Sequence, residues 1–349
     1  MLIAIVQARV SSSRLPGKVL KRIGQVPMLL RQLDRLRNSS RIDKVVVATG
    51  EGIEDDAIEA LCSSVGASCF RGSLNDVLDR LYRASLAFAA DHIVRVTGDC
   101  PLIDPYIIDQ VIDLHLVSGC AYTSNVNPPT FPDGMDVEVL TFRALEQSWK
   151  EAKLPSEREH VTQYVRNRPS VFSAINYRNS EDLSAIRLTV DTEADFQLVD
   201  KIFNALAAVP NFHLSDIIAS IKANPEWLNA NRHLTRNEGL SKSMAEDLSI
   251  RYRNSQDFHK RASDVIPLAA QTFSKSKTHY PWGVSPYFID SGKGSVVWDI
   301  DGNEYTDFIN SLCSITLGYC DPDVDGAVRA QIDKGVIFFF IGHTRNGSS

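Results

Sequence analysis

The chain has 349 residues, 44% of them hydrophobic, with 37 Lys and Arg set against 43 Asp and Glu. That length exceeds a usual single domain, so two units are expected, each able to bury its own core. A formal net charge of −6 argues against a nucleic-acid partner, which would need an excess of cations on one face.

The chain opens with Leu2-Ile3-Ala4-Ile5-Val6, a short apolar run without alternation. Such a run predicts a strand buried on both faces at the centre of a parallel sheet. Residues 8–18 then gather three hydroxyls, three cations, a Pro and a Gly into a loop. At the carboxyl edge of a sheet, a loop of this kind offers N–H groups, hydroxyls and the charges of Arg14 and Lys18 to a polyphosphate. It is not a Walker A loop, because Val19 follows Gly17-Lys18 and the first glycine is missing; nor is it GxGxxG.

Helix-like and strand-like stretches alternate from there. Residues 28–36 and 53–65 read as amphipathic helices around a Val-rich strand at 44–49. A strand at 67–70 and a helix at 74–89 repeat the unit, and a strand at 92–96 precedes a helix at 105–117 with Pro in its first turn. The pattern predicts an α/β fold with a doubly wound, mostly parallel sheet. Residues 133–140 alternate as a further strand, Ser156 is placed as the cap of another helix, and an apolar strand at 186–190 ends at Asp191. Asp99, with Gly98 before it and Pro101 after it, is held rigidly at a strand tip, as a Mg²⁺ ligand requires. Helix capping is the competing role for both Asp99 and Asp191.

The spacing Ala8…Ser13-Arg14-Leu15-Pro16-Gly17-Lys18 resembles the signature loop of the sugar nucleotidyltransferases. Within them it looks most like the acylneuraminate and 3-deoxy-manno-octulosonate cytidylyltransferases, in particular the spore-coat polysaccharide branch. The resemblance implies a nucleotide-diphospho-sugar transferase-like sheet. It makes Ala8, Arg9, Ser11, Ser13, Arg14, Lys18, Gly72 and Ser73 nucleotide-binding, and Asp99 and Asp191 the ligands of Mg²⁺. Lys18, Arg14, Asp99 and Asp191 would then be the catalytic set, while Asp133, Asp136, Glu138, His160 and Arg187 would meet the acceptor sugar. The implied reaction moves CMP from CTP to an acidic, keto-acid sugar for surface polysaccharide synthesis and releases pyrophosphate. A homodimer is implied by analogy.

Two other readings stay open: a nucleotidyltransferase using another base, or a glycosyltransferase on a similar sheet, although the latter would prefer a DxD motif that Asp99-Cys100-Pro101 lacks. Six scattered cysteines without CxxC pairs indicate neither a zinc site nor a disulfide framework. With no apolar stretch of membrane-spanning length, the expectation is a soluble, cytoplasmic protein without a membrane partner.

The character changes after residue 218, and the nucleotidyltransferase domain is expected to span 1–240, with a linker and helix at 241–279. Two short strands joined at Asp301-Gly302-Asn303 are expected next. The run Val297-Trp298-Asp299-Ile300-Asp301-Gly302-Asn303-Glu304-Tyr305 resembles the N-terminal segment of class-III, pyridoxal-phosphate aminotransferases of the glutamate-1-semialdehyde aminomutase kind. Residues 280–349 would be a truncated, small and incomplete α+β piece of such an enzyme. The cofactor lysine lies in a domain absent from it, so PLP is not expected to bind, and assembly alone is the third candidate role. From Ile337 to Ser349 the resemblance is expected to fail, as a frameshift in a thymine run would produce.

Overall fold

The computed structural model describes residues 1–335 apart from 237, 272, 277, 282 and 283. The expected frameshift tail from Ile337 therefore lies outside the described residues. The chain divides into two compact units, residues 1–244 and 245–349.

In the first unit, β1 (Leu2–Gln7) is followed by a small hairpin, β2 (Arg22–Ile23) and β3 (Val26–Pro27), and by α1 (Met28–Arg37). Then come β4 (Lys44–Gly50), α2 (Asp56–Ser64), β5 (Ser68–Gly72), α3 (Val77–Ala87), β6 (His92–Thr97) and α4 (Pro105–Ser118). The second half carries β7 (Tyr122–Ser124), β8 (Glu138–Thr141), α5 (Phe142–Glu151), α6 (Pro155–Glu159), α7 (Gln163–Arg166) and β9 (Ala174–Asn176). The helices α8 (Glu193–Ala205), α9 (Leu214–Ala223) and α10 (Glu238–Arg251) end it, α10 running on into the second unit.

Seven strands form one sheet in the order β5-β4-β1-β6-β8-β7-β9. All neighbours pair in parallel except at β8, which runs antiparallel to both β6 and β7. The sheet is buried on both faces, and β1 shows how: Leu2, Ala4 and Val6 join the core under α1, α4 and α8, while Ile3 and Ile5 join the core under α3 and α5. This explains the unalternating apolar run. The chain leaves β1 for β4 on one side and later returns to β6 on the other, so the crevice at the carboxyl ends of β1 and β6 is the switch point where ligands bind in such sheets.

Two predicted strands come out differently. Of the 133–140 run only residues 138–140 pair, as part of β8, and residues 186–191 make a single bridge, Asp133 with Arg187. Asp133 and Asp136 instead turn to ion pairs with Arg187 and Arg236. Leu154, not Ser156, stands at the start of α6, and Ser156 is buried inside it; Pro155 sets the first turn.

The second unit has α11 (Arg253–Val265), a three-stranded antiparallel sheet of β10 (Ile289–Lys293), β11 (Val296–Asp299) and β12 (Glu304–Thr306), and a helix over Pro322–Ile332. Asp299 organises the β11–β12 turn, accepting from the Asn303 amide at 2.8 Å and the Tyr305 hydroxyl at 2.9 Å. Gly302 turns there with φ +80°. Among the described residues no helix is long and apolar enough to cross a membrane.

Because Ile5 is fully buried in the central strand, Ile5→Ala is expected to cost about 2–5 kcal/mol of stability. Urea denaturation of both proteins measures it; a cost near zero would place β1 away from the core.

Candidate active site

The β1–α1 loop is built from the strand end outward. Asp55, fully buried, accepts from the Val10 amide at 2.7 Å and the Gly50 amide at 2.8 Å, tying the exits of β1 and β4 together. The Gly17 amide donates to the Val10 carbonyl at 2.9 Å, and Gly17 takes φ +68°, which reverses the loop and sends Lys18 back under the sheet edge. On the β6 side, Gly98 lies against β1 so closely that a Cβ would sit 2.7 Å from the Gln7 carbonyl oxygen. Only glycine permits that approach, which brings Asp99 beside the loop.

Lys18 is 8% exposed, and its ammonium is the centre of the site. Nζ donates to Asp99 Oδ2 at 3.2 Å, to the Val190 carbonyl at 2.8 Å and to Asp191 Oδ1 at 2.9 Å. Burial opposes its charge, but the two carboxylates outweigh burial and raise Lys18 above the usual lysine range. Asp99 is held below the usual carboxylate range: burial works against its charge, and Lys18 with the Thr97 and Lys18 hydrogen bonds prevails. Neither Asp99 nor Asp191 caps a helix. Asp104 caps α4, and Thr192 with Asp195 forms a capping box on α8.

Arg187 ties the acidic side of the site together. Its Nε donates to Asp195 at 3.0 Å, Nη1 to Asp133 at 2.8 Å and Nη2 to Asp191 at 2.8 Å. With every nitrogen engaged by a carboxylate and 6% of the residue exposed, Arg187 positions Asp133 and Asp191; it does not present a free fork to an acceptor. Asp195 is fully buried and accepts in addition from the Asp191 and Thr192 amides and from Asn231, at 2.9 to 3.0 Å. Its carboxyl lies below the usual range despite burial, because of those bonds and Arg187.

A cavity of about 220 Å³ opens above this cluster, lined among others by Arg14, Asp99, Asp133, Asp136, Glu138 and His160. The expected acceptor carboxylates are all ion-paired: Asp133 with Arg187, Asp136 with Arg236, and Glu138 with Arg95. Glu138 also accepts from the Tyr122 hydroxyl at 2.5 Å. Burial pushes Asp136 up to about 7 against the pull of Arg236. His160 shares a 3.1 Å contact with the Ser243 hydroxyl. Arg14 reaches Asp191 at 3.0 Å and Glu238 at 2.8 Å.

The remaining expected nucleotide-side residues stand outside the cavity lining. Arg9, Ser11 and Ser13 are exposed on the loop, and Ala8 is buried, its amide donating to the Ala48 carbonyl. Gly72 is packed between Phe70 and Arg80, and Ser73 accepts from the Asp76 amide in a turn. Sequence reasoning missed Arg95, Arg166 and Arg236, which also line the cavity. Arg95 had a signal, a cation inside an otherwise apolar strand; Arg166 and Arg236 sit in polar segments where nothing marks them.

Asp99 and Asp191 converge on one ammonium, so their oxygens are set to share a cation. Among the described residues no group of three His, Cys, Asp or Glu side chains is arranged to hold a metal. Two carboxylates fit Mg²⁺, which keeps the rest of its shell for water and phosphate oxygens.

A family model described as Cytidylyltransferase matches residues 3–234. The chain belongs to the cytidylyltransferase family. The spore coat polysaccharide biosynthesis protein SpsF of Bacillus subtilis is 34% identical over 237 residues, covering 64% of this chain and 95% of that protein. The solved structure of a cytidylyltransferase from Leptospira borgpetersenii superposes with a TM-score of 0.64 at 36% identity, over 67% of this chain and 99% of that one. A second model, Aminotransferase class-III, matches residues 279–347, past Ile337, where the resemblance was expected to fail. There the glutamate-1-semialdehyde 2,1-aminomutase of Natranaerobius thermophilus is 39% identical over 90 residues, 25% of this chain and a fifth (20%) of that enzyme's length. The chain is thus a cytidylyltransferase carrying a partial class-III aminotransferase segment.

Asp195→Ala is expected to cost about 3 kcal/mol or more, because Arg187 loses its buried partner. Since folding depresses the Asp195 pKa, its contribution is present above the ordinary aspartate range and is lost as pH falls through the folded value. Thermal melts from pH 7 down to 3 check both points: the wild type should lose stability at the acid end more steeply than the variant.

Proposed function

We propose that this cytidylyltransferase transfers CMP from CTP to a sugar acid, in the synthesis of a surface polysaccharide. The carrying observation is the Asp99–Lys18–Asp191 cluster at the sheet's switch point, in a chain whose family moves CMP from CTP to sugars. In this reading an acceptor hydroxyl attacks the α-phosphorus and gives up its proton to solvent, the bond to the bridging oxygen of the β-phosphate breaks, and pyrophosphate leaves. Positioning and electrostatic stabilisation are the protein's part, and no protein nucleophile takes part.

Asp99 and Asp191 would hold a divalent cation, Mg²⁺, which when bound neutralises phosphate charge. An ammonium has three N–H donors, and those of Lys18 are taken by Asp99, Val190 and Asp191. Lys18 therefore acts by its field and by holding the two carboxylates, and offers a phosphate an N–H only on releasing one of them. Arg14, on the exposed loop, is the cation that meets the triphosphate directly.

Arg166 supports an acidic acceptor. It lines the cavity and, among the described residues, makes no ion pair or side-chain hydrogen bond. Its charge acts on Glu138, which burial would otherwise raise and which Arg95 and Arg166 help keep ionised. A carboxylate on the sugar would give this guanidinium a partner. The segment at 279–347 is, in the same reading, not an aminotransferase by itself, since it matches a fifth (20%) of the aminomutase's length.

Pyrophosphate release measured with each of the four NTPs and a panel of neutral and acidic sugars tests the proposal; CTP with a sugar acid should turn over fastest, and indifference to the base would overturn it. Lys18→Ala should lower turnover by ~10²-fold or more, since it removes the charge that holds Asp99 and Asp191 together and acts through its field on the transferring phosphate. Arg166→Gln should raise the KM for the sugar acid about tenfold or more, the loss of a charge-assisted pair, with little change in the KM for CTP. Equal effects on both substrates would move Arg166 off the acceptor side.

A further inference from the structure

The family match ends at residue 234, yet Thr235, Arg236, Glu238, Gly239 and Leu240 line the cavity. These residues bring two charges of opposite sign to the two ends of the site. Arg236 Nη2 pairs with Asp136, and its Nη1 donates to the Phe131 carbonyl at 3.3 Å, so it is fastened at the acceptor side. Glu238 lies 2.8 Å from Arg14 Nη1 at the nucleotide side. A third fastening follows within the same unit: the buried Ser243 donates to Glu159 at 2.6 Å and contacts His160 Nε2 at 3.1 Å.

The three fastenings differ in strength. Arg236 and Ser243 are half-buried and buried, whereas the Arg14 and Glu238 side chains are 40% and 64% exposed. An ion pair that exposed shifts an equilibrium by no more than about fivefold. The Glu238 carboxylate also has the charge and the oxygen acceptors of a phosphate, and it occupies the guanidinium that the nucleotide reading gives to the triphosphate.

We propose that this segment is an autoinhibitory strap in which Glu238 stands in for a phosphate of the nucleoside triphosphate at Arg14. Nucleotide binding exchanges Glu238 for phosphate and frees the first turn of α10, while Arg236 keeps the strap attached at the acceptor end. The strap tunes nucleotide affinity; with one exposed pair it is too weak to lock the site. The proposal rests on the nucleotide-site reading of Arg14.

Calorimetric titration of the full chain with CTP and Mg²⁺ tests it. Glu238→Gln should tighten CTP binding about two- to fivefold and lower the KM for CTP by the same factor. Arg14→Ala should weaken binding and abolish the effect of Glu238→Gln in the double variant. Unchanged or weaker binding by Glu238→Gln, where Arg14→Ala does weaken it, overturns the strap and leaves the nucleotide site standing. Intact CTP binding in Arg14→Ala overturns both.

Discussion

A lysine ammonium shared by two carboxylates is the constraint from which the first unit's site follows. Asp99 leaves β6 and Asp191 arrives from nearly a hundred residues later, and each is within 3.2 Å of Lys18 Nζ. Two carboxylates that close repel one another unless a cation lies between them. Lys18 supplies that charge, Arg187 supplies a second on the far side of Asp191, and Asp195 anchors Arg187 in turn. The arrangement runs from solvent to core as alternating charges, Arg14, Asp191, Arg187 and Asp195, so that the group most deeply buried is also the most completely hydrogen-bonded. That order agrees with the cost of burying charge, which falls on whichever member lacks partners.

Much of this architecture was legible before any coordinates. The five apolar residues Leu2 to Val6 read as a doubly covered strand, and the alternation of strand-like and helix-like segments after them implies a wound sheet whose ligands collect at the switch point. Asp99, flanked by Gly98 and close to Pro101, lies just past β6, and Lys18, after Gly17, lies in the loop that follows β1; the structure brings the two to 3.2 Å. Arg187 was read as a substrate contact, because sequence shows a cation near the site but not the three carboxylates that claim its nitrogens. The strand expected at 133–140 forms only at its end, over 138–140, for a related reason. Before it, Asp133 and Asp136 turn towards Arg187 and Arg236, partners 54 and 100 residues away. Contacts of that span leave no local periodicity.

The second unit poses a different relation between sequence and structure. Its β11–β12 turn is explicit in the sequence, and Asp299 fastens it from within. The helix over Pro322–Ile332 is well capped by Asp321 yet has no buried residue. Val324, Val328 and Ile332, spaced on one face, are each about half exposed or more. Local signals of capping and turn chemistry are thus sufficient to form the elements, while the apolar face they present has little of the unit's own core to cover it. A match to a fifth (20%) of an aminomutase is consistent with elements whose complement lay in the rest of that enzyme.

Charge balance links the site to its substrates. Every cation of the first unit's site except Arg166 is matched by a carboxylate within the protein: Lys18 and Arg14 by Asp191, Arg187 by Asp133 and Asp195, Arg95 by Glu138, and Arg236 by Asp136. A near-neutral site offers little net attraction to a triphosphate, and a nucleoside triphosphate arriving alone would face Asp99 and Asp191. In the proposed reading, binding as a complex with a divalent cation would remove that conflict, since Asp99 and Asp191 would hold the cation and it would neutralise phosphate charge. The same balance leaves Arg166 as the one lining guanidinium, among the described residues, without an ion-paired carboxylate, and this is the observation behind the proposed anionic acceptor. On that proposal, selectivity for charged substrates would come from the placement of matched pairs that can be exchanged, and an overall positive potential would not be needed.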